Sequence, residues 1–305
     1  MSIVVYADVI VPNSVVMAGA VGKQRRQNDR TVNQGGFASV NVVRDATIRE
    51  FTLGVIPMTL ANWALIEGLY EVTDAGAFGM LILDPKDSVV TASQGGLLGY
   101  MAGVENGVVG FGNGTPNYGF RKLYTAAGST RAKARAVTRP NGTPAMLRNG
   151  SAVTVGVAAG NVALSAGPVL ATFAPDSASN VSSITVGATT SVTLSAALAL
   201  SVGGQLWLTG LAGADAALVN NLAHQITAVA GATYTLSTNT AGKVITAAGQ
   251  GQKYPQSIDT LTWSGTFYVP VHFTNDDMDW DLVKPGGQLD RLVSGPSIPL
   301  AEIRE

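Results

Sequence analysis

The densest concentration of reactive side chains in this chain is an acidic run, NDDMDWD, which carries Asp276, Asp277, Asp279 and Asp281. Its D-x-D-x-D spacing is that of a calcium loop, where several carboxylate and carbonyl oxygens converge on one hard cation. Leu282 stands where such a loop needs glycine, and Gln288 where it needs a bidentate Glu, so the run reads as a solvated or arginine-pairing loop. A second candidate is basic: Arg121, Lys122, Arg131, Lys133, Arg135, Arg139 and Arg148 follow one another with no acid between them. Such a run could serve nucleic acid only if the charges gathered on one face. The alternation in RAKARAV predicts a half-exposed strand, with Arg131, Lys133 and Arg135 on one side and alanines on the other. Gly110, Gly112 and Gly114 form part of a phosphate-cradling pattern, without the full spacing or a following helix. Only His224 and His272 could serve as imidazole bases, and both fall in apolar strand-like segments. With no cysteine, no G-x-S-x-G elbow and no evident carboxylate pair, no catalytic, cofactor-binding or metal-binding residue is assigned, and the chain is not expected to be an enzyme.

The whole chain must therefore be read for what it builds. Its 305 residues allow two domains and a sizeable core. Charged residues make up 13%, about half the usual share, and there are 36 glycines. So little surface charge fits extensive contacts with neighbours and equally a neutral β-sandwich monomer. Basic residues outnumber acidic ones 14 to 10 through Gly160, and acidic outnumber basic 10 to 5 thereafter. The opening MSIVVYADVIVPNSVVMAG lacks a basic n-region and contains Asp8 and Pro12, so it is expected to form a strand and turn rather than a signal peptide. No apolar run is long enough for a membrane-spanning helix, and a soluble, cytoplasmically made protein is expected.

Strand signals dominate. FASVNVV and ATIREFTLGVI are expected to form a hairpin about Arg44 and Asp45. In MTLANWALIEGLYEVTD, Thr59 is a plausible N-cap for a helix whose core stripe is Leu60, Trp63, Ala64, Ile66 and Tyr70. FGMLILDPKD reads as a buried strand running into a turn at Pro85, and Asn149-Gly150 suits a tight hairpin turn. From about Ala158 to Gly251 only Asp176, Asp215 and Lys243 are charged, and short apolar strands predict a small inserted β-domain. In TLTWSGTFYVPVHFTNDD, Leu261, Trp263, Gly265, Phe267, Val269, Val271 and Phe273 share one face of a long strand, with Pro270 implying a sheet edge or bulge. The expected fold is mainly β: a β-sandwich or split-barrel domain from residues 1–157 and 253–305, with one packed helix, and an insert at 158–252.

The succession TLANWALIEGLYEVTDA, LDPKD, YGFRKLYT, RAKARAVTRP, WSGTFYVPVHFTNDDMD and IPLAEIRE resembles the distal tail protein family of siphophages and gene transfer agents. The resemblance covers most of residues 37–152 and 258–305, and WSGTFYVPVHF placed after GFRKLY is its most specific part. It departs from the family pattern before Gly36 and in the insert, which is similar to FCCH-like small β-domains of phage tail and fibre proteins. The resemblance implies a non-catalytic, ring-forming virion subunit, hexameric, each copy a β-sandwich with one helix. It implies the tail tube protein on one face and the tail-tip or baseplate hub on the other, with genome DNA passing through unread. It also implies residence in the virion tail after synthesis in a host bacterial cytoplasm. The segment GKQRRQNDRTVNQGG, with Lys23, Arg25, Arg26 and Arg30, is a candidate arm toward a neighbour, or simply a solvated loop. A tail-associated adhesin or carbohydrate-binding protein, favoured by the insert with Trp207 and Tyr234, is the alternative. A cell-wall hydrolase is disfavoured by the lack of a visible acid pair.

Overall fold

A computed structural model describes residues 3–43, 47–99, 109–284, 291–294 and 298–305. The fold is mainly β, and its contacts divide it into two compact units, Met1–Ser88 with Phe267–Glu305, and Val89–Thr266. The strand Leu261–Phe273 contributes residues to both.

In the first unit one sheet runs in the order Val21–Arg25, Ile48–Leu53, Ile298–Glu302, residues 267–273, Gly79–Ile82 and Val5–Ile10. All pairs are antiparallel except the last, which is parallel. Gly79–Ile82 is buried along its whole length, and Phe267, Val269, Val271 and Phe273 are buried on the face predicted by their alternation. Pro270 neither marks an edge nor bulges the strand. It lies just past the ladder with Ile298–Glu302, whose last pair is Val271 with Glu302, and its carbonyl accepts the Ile303 N–H at 2.8 Å. Proline cannot return a bond to Ile303, and because the ladder ends at this pair only that one bond is forfeited. Asp84 shapes the turn at Pro85 by accepting the backbone N–H groups of Lys86 (3.0 Å) and Asp87 (3.3 Å). Its other role is to pair with Arg49, which is only 2% exposed and is neutralised by Asp84 at 3.2 Å and by Asp87.

The predicted helix spans Leu60–Val72, with the Thr59 side chain accepting the Asn62 N–H at 3.4 Å. Its buried stripe is Trp63, Ile66 and Leu69; Ala64 is exposed and Leu60 largely so, because the i, i+3 row rather than the whole predicted set meets the core. Tyr70 sits at the margin, edge-on to Phe273 at 5.4 Å, and its hydroxyl donates to the Asp276 carbonyl. A second, short helix, Asn13–Met17, follows the first strand where only a turn was expected, and it buries Val15 and Val16. A three-stranded sheet orders Asp281–Lys284, Leu292–Ser294 and Met58–Thr59.

The second unit has an open sheet and a closed barrel. Asn117–Thr125 pairs with Gly95–Gly99 along one side and with Ala132–Val137 and Leu170–Phe173 along the other. Its core stacks Phe120 edge-on against Trp263 (5.2 Å) and Tyr118 against Phe173 (5.3 Å). Arg139–Arg148 turns back into Ser151–Ala152 through Asn149 (φ 51°) and Gly150 (φ 79°), the two left-handed residues that a tight hairpin of this type requires. The barrel closes in the order Ser177–Thr185, Thr190–Leu194, Thr233–Leu236, Leu222–Ala230, Gln205–Thr209 and Gln250–Lys253. Val192, Leu206, Leu208, Val219, Ile226 and Leu236 fill it, all at most 1% exposed.

The root of the barrel is held by one arginine. Asp176 precedes its first strand and Asp259 follows its last; Arg148 donates to both Asp176 oxygens (2.6 and 2.7 Å) and to Asp259 (2.9 Å). Asn149 donates to the other Asp259 oxygen at 2.7 Å. Burial alone would raise the Asp259 pKa, but bonds from Arg148, the Gln256 backbone N–H and Asn149 together hold it below the ordinary carboxylate value. Arg148 is correspondingly raised, chiefly by its bonds to Asp176, against the opposing effect of burial.

Candidate interaction surfaces

The segment holding Lys23, Arg25, Arg26 and Arg30 forms strands rather than a loop. Val21–Arg25 pairs with Ile48–Leu53, and beyond it Asn28–Val32 pairs with Ala38–Val42. The hairpin expected between FASVNVV and ATIREFTLGVI is thus corrected: both strands exist, but each pairs with the preceding polar segment, and the expected turn residues Arg44 and Asp45 lie outside the described residues. A Val43 N–H to Gln27 carbonyl bond (3.2 Å) extends the second pairing, an antiparallel ribbon closed at its tip by Asn33, whose side chain accepts the Phe37 N–H at 2.9 Å.

The far half of this ribbon is two-faced. Directly paired residues share a face, so Asn28, Arg30, Val32, Ala38, Val40 and Val42 lie on one side and Asp29, Thr31, Ser39 and Asn41 on the other. The first face is mostly apolar, yet Val32, Val40 and Val42 are 69%, 51% and 56% exposed, with Phe37 at 77% beside them. Neither strand of this half pairs with any third strand among the described residues. A lone two-stranded hairpin is marginal in water, and an apolar face of this kind costs free energy while wet. At the base of the ribbon Lys23 and Arg25 both approach Glu50 (3.6 and 3.5 Å) with side chains about 70% exposed, and Arg26 donates to the Thr47 hydroxyl. Exposed pairs of this kind contribute little to stability, which leaves these cations available to another surface.

The same unit carries a surface of opposite character. Asp276, Asp277, Asp279 and Asp281 are all exposed, with Glu67 and Glu71 on the exposed side of the helix whose Tyr70 bonds the start of the run. Interleaved with them are Trp280 (58% exposed), Leu282 (46%) and Val283 (52%). Asp281–Lys284 is an edge strand, with one side unpaired among the described residues. Gln288 lies outside the described residues.

Other sequence candidates prove to be structural. The N–H groups of Gly110, Gly112 and Gly114 bond the carbonyls of Leu97, Asp259 and Pro255, so none is left to cradle a phosphate. A side chain at Gly112 or Gly114 would strike Gln256 and Pro255 or Gln205, so close packing explains these glycines. The basic run does not gather on one face: Lys122 is 5% exposed and donates to the Val89 carbonyl, Arg139 is buried, and Arg148 holds the barrel root. His224 is buried, with Nε2 donating to the Val219 carbonyl and Nδ1 accepting from Thr238, and burial lowers its pKa against the opposing Val219 bond. Tyr234 is barrel core, 1% exposed, its hydroxyl accepting the Leu198 N–H.

Trp207 behaves differently from Tyr234. Leu206 and Leu208 point into the barrel, so Trp207 lies on its outside, braced edge-on by Tyr254 at 5.9 Å and partly exposed. It lines a cleft of about 600 Å³ with Thr115, Asn117, Leu218, Asn221, His224 and Thr238. Sequence reasoning picked out Trp207 but not the cleft, because Asn117 comes from a strand far away in the chain. Among the described residues no helix is long and apolar enough to cross a membrane. No family model matches the chain, and no curated protein matches it.

Proposed function

We propose that this chain is a structural subunit that closes a ring, acting as a distal tail protein between the tail tube and the tail-tip hub of a siphophage or phage-like particle. The observation that carries this is the ribbon Asn28–Val32 with Ala38–Val42, a built arm whose apolar face and both edges have nothing to cover them within the described chain. Its flanking cations Lys23, Arg25, Arg26 and Arg30 complement the acidic and apolar surface around Asp276–Val283. These are two different patches, so an arm on one copy would meet the acidic surface of the next in a heterologous contact, the kind that repeats head to tail and can close a ring. Edge pairing and apolar burial would supply the affinity and charge the orientation. The hexameric count, the tube and hub partners and residence in a virion tail rest on the resemblance carried by GFRKLY and WSGTFYVPVHF. Genome DNA would traverse the bore without base-specific contacts, in keeping with a basic run of which Lys122, Arg139 and Arg148 are engaged within the fold.

The test is the mass of the purified full chain in solution, with negative-stain images of the same fraction. A closed ring with a central hole is expected, and dissociation on reversing the charge of Arg25 and Arg30 together. A monomer at every concentration contradicts the proposal.

A further inference from the structure

The geometry points to a second site, independent of ring formation: the cleft beside Trp207 binds a neutral saccharide. Trp207 lies on the outside of the barrel, where the Tyr254 ring meets it at right angles with centroids 5.9 Å apart, and it remains partly exposed toward the cleft. A partly exposed indole in a concave setting offers the flat apolar surface on which the C–H face of a pyranose ring packs, and pockets of several hundred Å³ are of the size that small ligands use.

The polar lining of the cleft consists of amides and hydroxyls. The Asn117 side-chain oxygen accepts the Thr172 hydroxyl at 2.9 Å, and that of Asn221 accepts the Thr209 hydroxyl at 3.2 Å. Each bond to a neighbouring hydroxyl restrains its amide, and the lining offers both donors and acceptors to ligand hydroxyls. Such pre-organisation is what gives a small number of polar contacts their specificity.

Among the described residues, neither an acidic side chain nor a lysine or arginine lines the cleft, and the titratable His224 has both ring nitrogens engaged and is biased toward the neutral form. An anionic sugar or phosphate would find no cation there, and a metal no carboxylate. A polyhydroxylated neutral ligand matches an aromatic face beside restrained amides and hydroxyls.

The experiment uses the labelled full-length chain on an array of neutral and anionic oligosaccharides, followed by titration of the best neutral binder in solution. Binding to one or more neutral oligosaccharides is expected, weakened at least about tenfold by Trp207→Ala, since a truncated aromatic anchor typically costs that much or more. Leu218→Trp places a bulky group at a cleft residue that is 46% exposed, so it should fold normally and also abolish binding. No neutral binder on the array, binding confined to anionic sugars, or affinity unchanged in both variants would each overturn the assignment.

Discussion

The inserted barrel and the N-terminal ribbon solve the same problem in opposite ways. Both are antiparallel β structures of short strands with modest apolar content. The barrel closes on itself, so every strand has two neighbours and Leu206, Leu208 and Leu236 are fully buried. The ribbon pairs once and stops, leaving Val32, Val40 and Val42 wet and two edges open. Free edges and wet apolar faces are what solitary proteins blunt with charge, proline or cover. In the proposed ring, the cover that the ribbon lacks among the described residues would come from another copy.

The largest effect expected from this contrast is on assembly. Val40→Asp combined with Val42→Asp should reduce the solution mass to that of one chain while moving the monomer's denaturation midpoint little, because both positions are exposed and outside any core. The barrel should respond the other way, in stability with assembly retained. Arg148→Ala leaves Asp176 and Asp259 facing each other without their cation and should cost about 4 kcal/mol by denaturant titration, the scale of breaking a largely buried ion pair. Acid should reproduce part of that loss: the folded-state pKa of Asp259 is depressed, so its contribution is complete above the unfolded Asp value of about 3.9 and disappears as pH falls through the lower folded value. In Arg148→Ala this part of the acid dependence should shrink. Leu206→Ala, inside the barrel, should cost about 3 kcal/mol. Thr59→Ala removes one long cap bond and should cost about 1 kcal/mol or less, leaving the ring intact.

Much of this architecture was legible wherever local pattern and tertiary role coincide. The alternation from Leu261 to Phe273 shows in the buried face, Thr59 caps the helix, and Asn149-Gly150 makes the tight turn, each because the signal and the structure it specifies lie within a few residues. Pairing is a different kind of information. The polar strand Asn28–Val32 gives little sign of itself, so its partner Ala38–Val42 was matched instead to the next apolar segment. Gln250–Lys253 closes the barrel yet reads QGQK, with no apolar alternation, since its place is fixed by Ser177–Thr185 and Gln205–Thr209 on either side. Tyr234 could have been separated from Trp207 by alternation alone: Tyr234 shares a face with buried Leu236, whereas Trp207 sits between two buried leucines. The cleft itself was out of reach, being assembled from Asn117 and barrel residues about a hundred positions later.

Amide hydrogen exchange of residues 28–42, followed across a dilution series of the full chain, tests most directly whether another copy covers the ribbon. Strong protection at high concentration, lost on dilution while the barrel amides stay protected throughout, is the predicted result. Ribbon amides that exchange rapidly and equally at every concentration, including in any assembled fraction, would contradict it.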